Sequence, residues 1–179
     1  MIKVYLMTIG IKEGSMYFKK IIPFLIILTL PIQIMARSYV GHLGAGVTTQ
    51  LENQIPSLSI KNYISDSWAW GLNGNFNTDS KIGGWGIGAK VYKNFFAEPN
   101  LFFYAAFMFG ILNSKKYKDV GGNTTGIQAD LTIGSEFFIP GIESLGLSFE
   151  TGLSINTLNE FTFKTTGHSF VTAAIHFYL

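Results

Sequence analysis

His42, His168 and His176, with the carboxylates Asp130, Glu136 and Glu150, are the residues whose types could support acid–base or metal chemistry, and their spacing argues against both. His168 and Ser169 are neighbours, and on an extended strand neighbours point to opposite faces, so they cannot pair directly as base and nucleophile. His168 and His176 lie roughly 26 Å apart along a strand, too far for one ion to bind both. Cysteine is absent, which removes thiolate ligands and disulfides. No catalytic, cofactor-binding or metal-binding residue is assigned, and neither enzyme activity nor a cofactor is expected.

These residues fall on strands. After Ala36 the recurring pattern is period-two alternation broken by turn residues. It is clearest in 145–157, where Leu145, Leu147, Phe149, Leu153 and Ile155 share one face and Gly146, Ser148, Glu150, Gly152, Ser154 and Asn156 the other. Segment 124–138 alternates alike, with Ile127, Leu131, Ile133 and Phe137 against Gln128, Asp130, Thr132, Gly134 and Glu136. At the end of the chain, Val171, Ala173, Ile175, Phe177 and Leu179 oppose Thr172, Ala174, His176 and Tyr178. Continuing the reading predicts eight strands, at 39–49, 57–64, 67–77, 83–95, 100–113, 124–138, 145–157 and 167–179. The fifth is apolar on both faces, so its parity is open.

The expected connections alternate between compact turns at 65–66, 97–99 and 140–144 and longer loops at 50–56, 78–82, 114–123 and 158–166. That asymmetry and the strand lengths fit an all-β, eight-stranded, antiparallel up-and-down transmembrane β-barrel. Aromatic residues support it. Tyr39, Tyr63, Trp68, Phe95, Phe96, Phe102, Phe103, Phe137, Phe138, Phe177 and Tyr178 lie beside the short turns or the termini, and Phe76, Trp85 and Phe170 near the opposite rim. They are read as two interfacial girdles.

With the apolar face outward, Lys61, Lys90, Asp130, Glu136, Glu150 and His176 point into the lumen, joined by His42, His168, Asn73, Asn75 and Gln128. An eight-stranded barrel is just wide enough for side chains to fill, and buried charges must pair. We therefore expect a structural polar network, with a narrow ion path as the alternative. The opposite parity, polar outside and an apolar cavity within, would describe a soluble barrel. Here the face that carries the charges also carries most of the glycine, which suits the tighter interior.

Charged residues make up 13% of the chain, about half the usual share of a soluble protein, as suits an outer surface facing lipid. Nine basic and ten acidic residues follow Ala36, a net charge of −1, and nothing suggests nucleic acid. Before it, Lys19-Lys20 precedes the apolar run 21–30 and Met35-Ala36, the layout of a secretory signal. Residues 16–36 are read as that signal, cleaved after Ala36, and 37–179 as the barrel domain. Residues 1–15 are read as a mis-called upstream start, since Lys12-Glu13-Gly14 can be encoded by a ribosome-binding sequence just before Met16. Lys115, Lys116 and Lys118 make 114–123 the most basic loop and the candidate contact for lipopolysaccharide phosphates.

Gly134–Gly141 with Leu145–Glu150 is similar to the third short turn of small bacterial outer-membrane barrels. Thr172–Leu179 resembles the C-terminal strand read by the barrel-assembly machinery. Residues 38–179 thus resemble the family of opacity-type and OmpA/OmpX-like barrels, which usually end in Phe where this chain ends in Leu179. The resemblance implies a monomer in the bacterial outer membrane, exported through the periplasm, whose partners are outer-membrane lipids, lipopolysaccharide and that machinery. It implies a structural or surface-interaction role, in adhesion or envelope integrity. A lipid-modifying enzyme and a narrow channel are the alternatives.

Overall fold

A computed structural model describes residues 38–117, 124–166 and 171–179. Its strands are β1 (Leu43–Thr48), β2 (Ser57–Ser65), β3 (Trp68–Asn77), β4 (Gly84–Glu98), β5 (Leu101–Ser114), β6 (Thr125–Ile139), β7 (Ile142–Asn156), β8 (Thr162–Thr165) and β9 (Thr172–Tyr178), with a 3-10 turn at Lys115–Tyr117. From β1 to β7 each strand pairs antiparallel with the next. β7 then pairs with both β8 and β9, and β9 closes onto β1. The chain is all-β, and the result is a closed antiparallel barrel of eight staves. The eighth stave is β8 and β9 in succession.

That divided stave corrects the expected strand at 167–179 and the expected loop at 158–166. One part of β7 pairs with β8 (Leu153↔Thr165, Asn156↔Thr162), and the part nearer the short turns pairs with β9 (Leu145↔Phe177, Glu150↔Thr172). The β7–β8 hairpin continues because Asn159 takes up a left-handed φ of 70°, which Asn tolerates better than most residues. Residues 167–170, with His168 and Phe170, lie outside the described residues. The first strand is also shorter than expected. Gly41 has φ 84°, a conformation that favours glycine, and it turns the chain before β1 begins.

The short connections are 66–67, 99–100 and 140–141, and the long ones 49–56, 78–83, 115–124 and 157–161. Pro140-Gly141 is tighter than the expected turn at 140–144, because Ile139 already pairs with Ile142. Register shifts at Tyr63/Ser65, Asn94/Phe96 and Phe138/Ile139 each sit beside a short turn. Bulges at barrel rims sharpen the local bend and twist needed there.

Alternation decides what faces where. Along β6, Gln128, Asp130, Thr132, Gly134, Glu136 and Phe138 are buried, whereas Ile127, Leu131, Ile133 and Phe137 are exposed. β5 resolves to one parity: Phe102, Tyr104, Ala106, Met108 and Leu112 point inward, and Phe103, Phe107, Phe109 and Ile111 outward. Closing the wall demands near approach of backbones. A Cβ on Gly46 would lie 1.7 Å from the Ile175 carbonyl oxygen across the β1–β9 seam. Gly46→Ala should therefore prevent closure, read as loss of the folded band in unheated detergent electrophoresis. A folded variant of unchanged stability would contradict this packing.

Candidate functional site: the filled lumen

Gly71 pairs in register with both Lys61 on β2 and Lys90 on β4. Two long cationic side chains therefore flank a position with no side chain, and both turn inward, where each is at most 2% exposed. Each crosses the lumen to a carboxylate on a strand that is not its neighbour. Lys61 Nζ donates to Glu136 Oε2 on β6 at 2.7 Å, and Lys90 Nζ donates to Glu150 Oε2 on β7.

The carboxylates are satisfied further. Glu136 accepts from the Tyr63 hydroxyl and, at 2.7 Å, from the Tyr178 hydroxyl. Glu150 accepts from the Tyr104 hydroxyl and from Thr132 Oγ1, both at 2.9 Å. Lys61 Nζ stands 4.2 Å from the Tyr92 ring centroid, and Lys90 Nζ 4.9 Å from the same ring. One aromatic ring thus serves two ammonium groups, a favourable contact in a desolvated site.

Asp130 is also fully buried, but amides rather than a lysine satisfy it. Gln128 Nε2 donates to it at 2.8 Å and Gln50 Nε2 at 3.1 Å. Gln50 Oε1 in turn accepts from Lys90 Nζ at 2.7 Å, so one glutamine side chain bridges a buried cation and a buried anion. His176 Nε2 lies 2.8 Å from Ser59 Oγ, which donates to Asn73 Oδ1, and His176 Nδ1 stands 3.9 Å from Glu136 Oε1. All six lumen residues named from the sequence lie inside. With Gln128 and Asn73 they are linked by hydrogen bonds, ion pairs and the Tyr92 ring between the two lysines, whereas Asn75 bonds to Asn53, Ser57 and the Ile55 carbonyl.

Among the described residues, buried side chains occupy both ends of the lumen. At the short-turn end Tyr39, Tyr63, Phe102, Phe138 and Tyr178 form a buried aromatic cluster with Tyr92 and Tyr104. Tyr39 stacks on Phe138 with centroids 4.0 Å apart, and its hydroxyl donates to the Glu143 carbonyl. These first five residues were expected in the girdle. They lie beside the short turns, as read, but on the inner face. Trp68, Phe95, Phe96, Phe103, Phe137 and Phe177 are exposed.

At the loop end the segment 49–56 enters the mouth, burying Gln50, Leu51 and Asn53, whereas 50–56 was expected as one of the longer loops. Leu51 joins Met108, Leu112 and Leu158 in a second apolar cluster. His42 does not reach the lumen, since Gly41 turns the chain before β1. It lies half-buried at the rim, with Nδ1 2.9 Å from the Leu179 carbonyl oxygen.

The basic loop is divided in its contacts. Lys115 bonds across to the Asp79 carbonyl at 3.4 Å, and Lys116 reaches Gln54 Oε1 at 3.2 Å; both are exposed. Lys118 lies outside the described residues. Asp79 itself accepts from the Ile82 and Lys81 backbone N–H groups, which hold its carboxyl below the usual pKa.

Among the described residues no group of three or more His, Asp or Glu side chains is arranged to hold a metal ion. The arrangement defines a closed, internally plugged β-barrel whose ionisable groups bond mainly to one another. In comparisons with known proteins, the chain matches no family model, no curated protein and no solved structure.

Proposed function

We propose that this chain is a small integral β-barrel of the bacterial outer membrane, with a filled rather than conducting lumen and a structural or surface-interaction role in adhesion or envelope integrity. The observation that carries the reading is the outer face of the strands. Leucine, isoleucine, valine and phenylalanine are exposed on it strand after strand, Leu131 at 61% and Ile133 at 52% among them, while the lysines and carboxylates described above face in. Monomeric soluble proteins rarely expose a continuous apolar surface of that extent. From Ile127 to Phe137 a strand tilted as in such barrels rises about 25 Å, the height of the apolar band of an outer-membrane barrel.

Rim chemistry agrees. Among the described residues, the charged groups on the outward face of the strands are Lys93, Glu98 and Glu143, all toward the short turns. Lys93 Nζ lies 4.6 Å from the Trp68 ring centroid. Phe76 and Trp85, paired across β3 and β4, are exposed near the opposite rim. They suit the headgroup level of a bilayer. Lys115 and Lys116 then stand on the long-loop side, available to phosphates of lipopolysaccharide. β9, with its outward Ile175 and Phe177, would be the strand offered to the barrel-assembly machinery. Catalysis is no part of the proposal, since Glu136, Glu150 and His176 are engaged inside.

In detergent electrophoresis the unheated protein should migrate apart from the boiled protein, and it should fractionate with outer membranes. Identical mobility before and after boiling, or recovery in a soluble fraction, would contradict the reading. In planar bilayers the folded protein should give no steady conductance.

A further inference from the structure

The segment 49–56 is recognised by the wall in the way a ligand is. Gln128 Nε2 donates to the Gln50 carbonyl at 3.1 Å, and Gln128 Oε1 accepts from the Glu52 backbone N–H at 3.0 Å. One side-chain amide thus donates to and accepts from the main chain where it enters the turn at 51–54. The side chains have sockets of their own. The Gln50 amide lies between Lys90 and Asp130, Leu51 sits in the apolar cluster with Met108, Leu112 and Leu158, and Asn53 exchanges amide bonds of 2.8 and 3.0 Å with Asn75.

We propose that the inner wall at the barrel mouth is a peptide-binding site, held in this structure by the protein's own segment. Its ligand class is a short peptide able to form this turn and carrying an amide side chain, then an apolar one, then a second amide two positions on. This goes beyond the proposed function and rests on the barrel itself rather than on its membrane placement.

Space-filling alone does not explain the arrangement. Lys90, Asp130, Gln128 and Asn75 are wall residues whose hydrogen-bonding capacity this segment takes up, and buried polar groups are rarely left unpaired. The segment is also held in a way that permits release. Its outer fastenings include Lys164 Nζ to Glu52 Oε2 at 2.6 Å, where the Lys164 side chain is 37% exposed and that of Glu52 is 7% exposed, and Lys116 Nζ to Gln54 Oε1 at 3.2 Å. The exposed ammonium leaves the pair open to screening by salt. Gln54 is strained at φ 63°, and a cavity of about 300 Å³ lined by Thr49, Leu51, Glu52, Gln54, Ile55 and Pro56 leaves room beside it. Tethering at both ends gives the segment a high effective concentration, so a free peptide competes only when the docked segment is weakened.

The test uses the full chain in detergent with Gln50→Ser, Leu51→Ser and Asn53→Ser together, which keeps the segment's length and removes its side-chain contacts. A fluorescent peptide with the sequence of residues 49–54 should bind it saturably, about tenfold or more tighter than it binds the unsubstituted chain. Adding Gln128→Ala should weaken that binding by a similar factor. A triple variant that keeps its heat-sensitive mobility yet binds no tighter overturns the proposal, as does binding indifferent to Gln128→Ala. Should the triple variant not fold, Leu51→Cys is compared with and without Lys164→Gln for labelling by a charged maleimide. Labelling faster by about tenfold with Lys164→Gln supports a releasable segment, and an unchanged rate overturns it.

Discussion

Glu136→Ala should destabilise the barrel by about 3–5 kcal/mol, the usual cost of removing one partner of a buried ion pair. Lys61 loses its 2.7 Å partner and has three tyrosine rings, those of Tyr63, Tyr92 and Tyr104, to turn to. The hydroxyls of Tyr63 and Tyr178 lose their acceptor in the same step. The loss is larger than the net worth of the pair, because what remains is an unpaired buried cation. Replacing both partners, Lys61→Met with Glu136→Leu, should recover much of it, although the tyrosine hydroxyls stay unpaired. Urea unfolding in vesicles, followed by tryptophan fluorescence, checks both. A change below about 0.5 kcal/mol, the range of an ordinary surface substitution, would mean that the pair is open to water.

Leu131→Arg is the second large effect. Leu131 points outward near mid-height on β6 and pairs with Leu153 on β7 and Phe107 on β5, all exposed. In a bilayer an arginine there should cost about 2–4 kcal/mol, and the same change at Phe137, near the short-turn rim, about 0–1. In water both would be nearly neutral, since neither side chain is packed inside. The difference between the two positions, measured by urea unfolding in vesicles, is therefore a depth gauge. Equal small effects would remove the membrane from the account.

Side was more legible in the sequence than height. The alternation in 124–138 and 145–157 identified which residues enter the lumen before any strand was paired, because period two leaves a side chain two choices. The same parity would have placed Tyr63 with Lys61, Tyr178 with His176, and Phe138 with Glu136. Assigning those rings to a girdle used their position along the strand and ignored their side. The inward tyrosines then supply the hydroxyls that complete Glu136 and Glu150.

β5 was ambiguous for a physical reason. Its inner residues Phe102, Ala106, Met108 and Leu112 face apolar clusters at the two ends of the lumen, so neither of its faces is polar. The segment 49–56 was illegible because polarity and Pro56 mark it as a loop, which it is. Its single leucine, Leu51, between Gln50 and Glu52, was the available sign that it turns inward. Nor could spacing join the two parts of the eighth stave, because Thr165-Thr166-Gly167-His168-Ser169 breaks the alternation between them and only their common pairing with β7 relates them.

The direct test of the central claim is where the outward side chains lie. The chain has no cysteine, so single spin labels can be placed at Leu147, Phe149 and Ile175 without background. In vesicles, collision with oxygen should exceed collision with a water-soluble nickel chelate at all three positions, with a label at Lys115 showing the reverse. Labels at Leu147, Phe149 and Ile175 that meet the chelate as readily as the one at Lys115 would contradict the account.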